Sequence, residues 1–128
     1  MLNSLFYPQS IAVIGASKDP QKVGHSVLNN IKRFNYRGEI FPVNPKSDEI
    51  LGFKTFPSIS DINHTIELAV LAIPAPMVPL CIRECVSKGV KSAVIISAGF
   101  KEAGTSGILL EEELKSIAAE GKIRILGP

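Results

Sequence analysis

The chain has 128 residues, of which 45% are hydrophobic and 20% charged; this size and composition suit one soluble globular core and exclude a disordered or fibrous chain. Lys plus Arg number 14 against 12 Asp plus Glu, a formal net charge of +2, far from the basic excess that a general nucleic-acid binder sets against phosphates. The longest apolar stretch, Leu68 to Leu80, contains Pro74, Pro76 and Pro79 and falls short of the ~20 residues of a membrane-spanning helix. The opening MLNSLFYPQS has no basic start and no small-residue cleavage site, so neither secretion nor a membrane is expected and a cytoplasmic location follows by default.

Ser10 to Ile14 is a short continuous apolar run ended by Gly15, which predicts a strand buried on both faces. After the polar loop ASKDPQKVG, the recurrence of Val27, Leu28, Ile31 and Phe34, followed by Gly38, predicts a first helix with its stop signal. Glu39 to Val43 reads as a strand that tolerates Pro42 near its end, and Asn44-Pro45 turns the chain. Residues 48 to 63 are only loosely assigned, with a short strand within Gly52 to Phe56 and a brief helical turn at SISDI. Residues 66 to 73 form the next buried strand, halted by Pro74-Ala75-Pro76 because proline has no amide to donate. Val78, Cys81, Ile82, Cys85 and Val86 then follow a helical period up to Gly89. Ala93 to Ile96 is a strand opening into Ser97-Ala98-Gly99, a third helix covers roughly Gly107 to Glu120 with Gly121 ending it, and Ile123 to Leu126 is the last strand.

Strands alternating with helices imply parallel pairing and helices on both sheet faces. The expected fold is therefore α/β, a Rossmann-like three-layer sandwich with a mostly parallel sheet, forming one domain over 1–128. Cys81 and Cys85 are spaced i, i+4, where Cβ atoms lie ~5 to 6 Å apart against the ~3.8 Å of a disulfide. They are expected to be free thiols in the core. His25 and His64 are isolated from the cysteines and from each other, so no metal is assigned.

Ligands of such sheets sit beyond the carboxyl ends of the strands, which singles out the loops starting at Gly15, Asn44, Pro74 and Ser97. The first, Gly15 to Gly24, leads into a helix N-terminus, where open amides and the helix dipole suit a phosphate. In it Gly15 permits the tight turn, Ser17 offers a hydroxyl, and Lys18 and Lys22 offer positive charge. Gly24 is expected to let the helix start approach a ligand closely, so that a β-branched residue there obstructs the ligand while leaving the fold mostly intact. The spacing is neither G-x-G-x-x-G nor a Walker A loop. The second strand ends in Val43-Asn44-Pro45-Lys46, without the acid that accepts hydrogen bonds from the ribose in NAD sites. Lys46 either favours a ligand with a phosphate on that ribose, such as coenzyme A or NADP, or is a solvated surface lysine.

GAS with its long loop to Gly24, GEIFPVNPK, LAVLAIPAP, GVKSAVIISAGFKEAG and RILGP together resemble the N-terminal CoA-binding domain of ADP-forming acyl-CoA (acetate-CoA) ligases and, more distantly, the α subunit of succinyl-CoA synthetase. The resemblance covers nearly the whole chain in order. It implies that Ser17, Lys18, Lys22 and Gly24 hold CoA phosphates, that Asn44, Pro45 and Lys46 lie by the adenosine end, and that Pro74, Ala75, Ser97, Ala98 and Gly99 border the pantetheine arm. Family members continue past the final Gly-Pro into Asn-Cys-x-Gly and a second domain carrying a phosphorylated catalytic histidine, which neither His25 nor His64 matches. The expectation is a non-catalytic module of a longer ligase, with CoA or acyl-CoA and further ligase domains or subunits as partners. The alternative is a free-standing CoA-binding protein without chemistry.

Overall fold

The computed structural model describes residues 2–96 and 104–127. In chain order the elements are α1 (Leu2–Phe6), β1 (Ser10–Ile14), α2 (Val23–Arg33), β2 (Glu39–Val43), β3 (Glu49–Ile50), β4 (Phe53–Lys54), a 3₁₀ turn Ile59–Asp61, β5 (Leu68–Leu71), a 3₁₀ turn Ala75–Met77, α3 (Val78–Lys88), β6 (Ser92–Ile95), α4 (Thr105–Gly121) and β7 (Arg124–Leu126). Five strands form a sheet in the order β2-β1-β5-β6-β7, and all four neighbouring pairs are parallel. This is the Rossmann-like α/β sandwich expected from the alternation of elements.

Alternation along the strands builds two cores. Ile11 and Val13 of β1 face one side with Leu68 and Val70 of β5, packing with Leu28 of α2. Ala12 and Ile14 face the other with Ala69, Leu71 and Ile95, packing with Val78 and Ile82 of α3 and Leu114 and Ile117 of α4. Every residue of β1 and β5 is buried, which is why these strands read as unbroken apolar runs. Pro42 sits in edge strand β2 with its carbonyl accepting from Phe56 N at 3.0 Å. Backbone N and O of one residue point to the same side in a parallel strand, so the missing N–H faces away from β1.

Four details differ from the sequence expectation. α2 ends at Arg33, and Phe34 is 74% exposed under the Arg33 guanidinium rather than on the buried stripe; Tyr36 packs on the core in its place. Gly121 lies within α4 and Lys122 takes the left-handed cap at φ +57°. Glycine serves there because a Cβ would come 2.6 Å from Val86 Cγ2 on α3. The loosely read segment holds the β3–β4 hairpin, and α1 had no counterpart in the sequence reading. Cys81 and Cys85 are free and buried as expected; a hydrogen bond with Cys81 and then burial push the Cys85 thiol above its usual range.

Candidate functional site

The chain passes from β1 through α2 to β2 on one side, then returns to β5 on the other side of β1. The carboxyl ends of β1 and β5 therefore diverge at the point where strand order reverses, the place where such sheets bind ligands. Gly15 makes the turn out of β1 at φ +89°, with its N–H donating to Val43 O at 3.0 Å. A Cβ there would lie 2.3 Å from Ala72 O, so only glycine fits between the strand ends.

The loop that follows is internally braced. Asp19 N donates to Ser17 Oγ at 3.0 Å, Gln21 N to Asp19 Oδ1 at 3.0 Å, and His25 Nδ1 to Ser17 O at 2.9 Å. Ser17 keeps its own hydroxyl proton to donate outward. Lys22 is the N-cap of α2, without a side-chain cap bond, and no acid lies in the first turn. The His25 N–H already donates to Lys22 O at 3.1 Å, so the amides of Val23 and Gly24 and the positive end of the dipole are left for an anion. Lys18 and Lys22 are exposed, and neither ammonium has a partner among the described residues; Asp19 is the one carboxylate in this loop. His25 ties the loop to the helix start, whereas His64 lies at the amino end of the sheet, 2.9 Å from Glu39.

Gly24 requires a correction. It is buried, and a Cβ on it would lie 1.8 Å from Gly15 O and 2.7 Å from Gly15 C. Its α-carbon faces the end of β1, not a ligand, so glycine is needed for the helix to seat on the strand. A bulkier residue disturbs the fold before it reaches any ligand.

The second loop is pinned to the first. Asn44 Nδ2 donates to Ala16 O at 2.7 Å while Asn44 Oδ1 accepts from Lys46 N at 2.8 Å. One side chain thereby fixes both the phosphate-type loop and the turn that displays Pro45 and Lys46. Replacing Asn44 by Ala removes both bonds and is expected to cost ~1–2 kcal/mol in chemical denaturation; an unchanged midpoint would show that the turn holds without it.

Beside this turn opens a cavity of about 580 Å³, lined by Gly15, Asn44, Pro45 and Lys46 from the strand ends, by Pro57, Ser58 and Ile59, and by Ile73, Pro76, Met77, Leu80, Cys81 and Glu84 leading into α3. It brings together four of the residues singled out from sequence. Ala75 is 3% exposed and packs into the core, and exposed Pro74 is not in the lining; Ile73 and Pro76 form that wall. Ser97, Ala98 and Gly99 lie outside the described residues. The α3 wall is not among the residues the sequence singles out, although Met77, Leu80, Cys81 and Glu84 have the spacing of one helical stripe. A larger hollow of about 830 Å³ lies at the opposite, amino-terminal edge around Tyr7, Tyr36 and Glu39, out of reach of these loops. Among the described residues no cluster of His, Cys, Asp or Glu fits a metal ion, and no helix is long and apolar enough to cross a membrane.

Residues 9–128 match the family model described as the CoA binding domain. The chain belongs to that family. It is 49% identical over 127 residues to an acetate–CoA ligase (ADP-forming) of Methanocaldococcus jannaschii, covering 99% of this chain and 18% of the relative. It is 43% identical over 128 residues to the acetate–CoA ligase (ADP-forming) II subunit alpha of Pyrococcus furiosus, covering 100% of this chain and 28% of the relative. The structure of the dinucleotide forming acetyl-coenzyme A synthetase 1 of Candidatus Korarchaeum cryptofilum, in complex with phosphate and ADP, superimposes on it with a TM-score of 0.95 at 43% identity, covering 100% of this chain and 27% of that one. The resemblance seen in the motifs is thus shared along the full length of this CoA binding domain, which spans less than a third of each of these relatives.

Proposed function

We propose that this chain is the CoA-binding module of an ADP-forming acyl-CoA ligase of the acetate–CoA ligase kind. The observation that carries the reading is the carboxyl-end site, where an open helix N-terminus flanked by Lys18 and Lys22 adjoins an apolar cavity with Lys46 in its lining. In this reading Ser17, Lys18, Lys22 and the α2 amides hold the diphosphate, and Asn44, Pro45 and Lys46 take the adenosine end. The pantetheine arm runs along the wall formed by Ile73 and Pro76 after β5; contacts with Ser97, Ala98 and Gly99 are part of this proposal only. The whole ligase would interconvert acyl-CoA, ADP and phosphate with a carboxylic acid, CoA and ATP, and this module would present the CoA thiol to chemistry carried by further domains or subunits. A cytoplasmic location and CoA or acyl-CoA as partner, rather than nucleic acid or a membrane, accord with the near-neutral charge. The similarity to ligases at 43–49% identity supports this over a free-standing CoA-binding protein.

Calorimetric titration of the chain with CoA and with NAD tests the reading. CoA is expected to bind and NAD to bind much more weakly, since the ribose-binding acid is missing; tighter binding of NAD would sink the assignment. Incubation with acetyl-CoA, ADP and phosphate is expected to yield no ATP, because neither histidine stands in a nucleophile's setting. Lys46→Ala is expected to weaken CoA by up to ~1 kcal/mol more than it weakens dephospho-CoA. Equal losses for the two ligands would remove Lys46 from the 3′-phosphate.

A further inference from the structure

We propose that Glu84 reads the base of the bound nucleotide, accepting a hydrogen bond from the exocyclic amino group of adenine and so excluding 6-oxopurines. The inference rests on the CoA reading and deepens it. The cavity beside the β2 turn has walls of Pro45, Ile59, Ile73, Met77 and Leu80, the apolar setting in which a flat heteroaromatic ring is buried and a few polar groups fix its identity. Lys46 enters the lining from the β2 side and Glu84 from the α3 side. A cation and a carboxylate are thus offered from two different walls, as a phosphorylated nucleoside needs at its phosphate and at its amino group.

Glu84 is half-buried and, among the described residues, is the one carboxylate in this lining. Its basic neighbours on α3 are engaged elsewhere: Lys88 donates to Ile62 O, and Arg83 pairs with Glu113 of α4 at 3.6 Å. The carboxylate has no hydrogen bond or ion pair among the described residues. An ionised carboxylate only accepts. At position 6 adenine presents an amino donor to it, whereas hypoxanthine presents an oxo acceptor there, whose lone pairs a carboxylate repels, and carries its only nearby donor at N1, one ring position away.

The test is titration of the full 128-residue chain with CoA and with its deaminated, hypoxanthine-containing counterpart. The unaltered chain is expected to bind the deaminated form about tenfold to a hundredfold more weakly, the range of one hydrogen bond to a charged group. Glu84→Ala is expected to lower CoA affinity and, by removing the repulsion, to raise that of the deaminated form, bringing the ratio near one. Glu84→Gln, which offers either a carbonyl or an amide, is expected to reduce the ratio while keeping more CoA affinity. Thermal melts are expected to show that both variants fold, since Glu84 is half-exposed on a helix and has no hydrogen bond or ion pair among the described residues. A ratio that both variants preserve, or that is already one in the unaltered chain, overturns the role of Glu84 while CoA binding stands. Failure of the unaltered chain to bind CoA overturns the CoA reading and this inference with it.

Discussion

The Gly24→Val variant is expected to unfold at far lower urea concentration than the parent chain, with a loss of ~3 kcal/mol or more. The obstacle is backbone, since a Cβ at this position would stand 1.8 Å from the Gly15 carbonyl oxygen. No rotamer relieves it. Either α2 lifts off the end of β1 or the β1 turn gives way. Gly89 supplies the control, because it has φ +88° but nothing within 4 Å of an added Cβ. Gly89→Ala therefore costs only the left-handed strain of an L-residue, ~1–2 kcal/mol. The idea fails if Gly24→Val is no more destabilising than Gly89→Ala.

Leu28→Ala is expected to cost ~2–5 kcal/mol, the range for emptying a buried leucine site. Leu28 is fully buried and packs with Ile11, Val13, Ile50 and Val70, joining α2 to the sheet. Phe34→Ala, on the same helical stripe by sequence spacing, is expected to change stability by no more than ~0.5 kcal/mol, because its ring is 74% exposed. Equal costs for the two, measured by denaturation, would mean that Phe34 is packed against something in solution and that α2 is longer than Val23–Arg33.

The contrast between these residues shows how much of the molecule is legible in its sequence. Strands β1 and β5 are buried on both faces, so their unbroken apolar runs gave them away, and Gly89 marked the end of α3 by taking the left-handed cap. The β3–β4 hairpin gave no such sign. Its two-residue turn places Leu51 at φ +52° and Gly52 at φ +87°, a turn normally announced by Asn-Gly; Leu in the first position conceals it. Helix α1 spans five residues, too few to show a period, and owes its place to contacts such as Ser4 Oγ with Ser92 Oγ at 2.6 Å. Of the candidate site, the loops after β1 and β2 are legible because topology puts them together. The α3 wall is not, since an apolar stripe with cysteines looks the same whether it meets a core or a cavity. Gly24 was misread for a related reason: spacing marks where glycine is needed but not which neighbour comes close.

The sheet separates two sets of packed side chains, one joined to α2 and the other to α3 and α4. The site at the strand ends borrows from both, taking its first loop from the α2 side and its cavity wall from the α3 side. A molecule lodged there acts as a clamp across the two layers, so its occupancy should slow opening of both at once. At a hundredfold excess over its Kd such a clamp adds about 2.7 kcal/mol to the folded state. Amide exchange should then slow in α2 and α3 together, even though neither core reaches the other through the sheet.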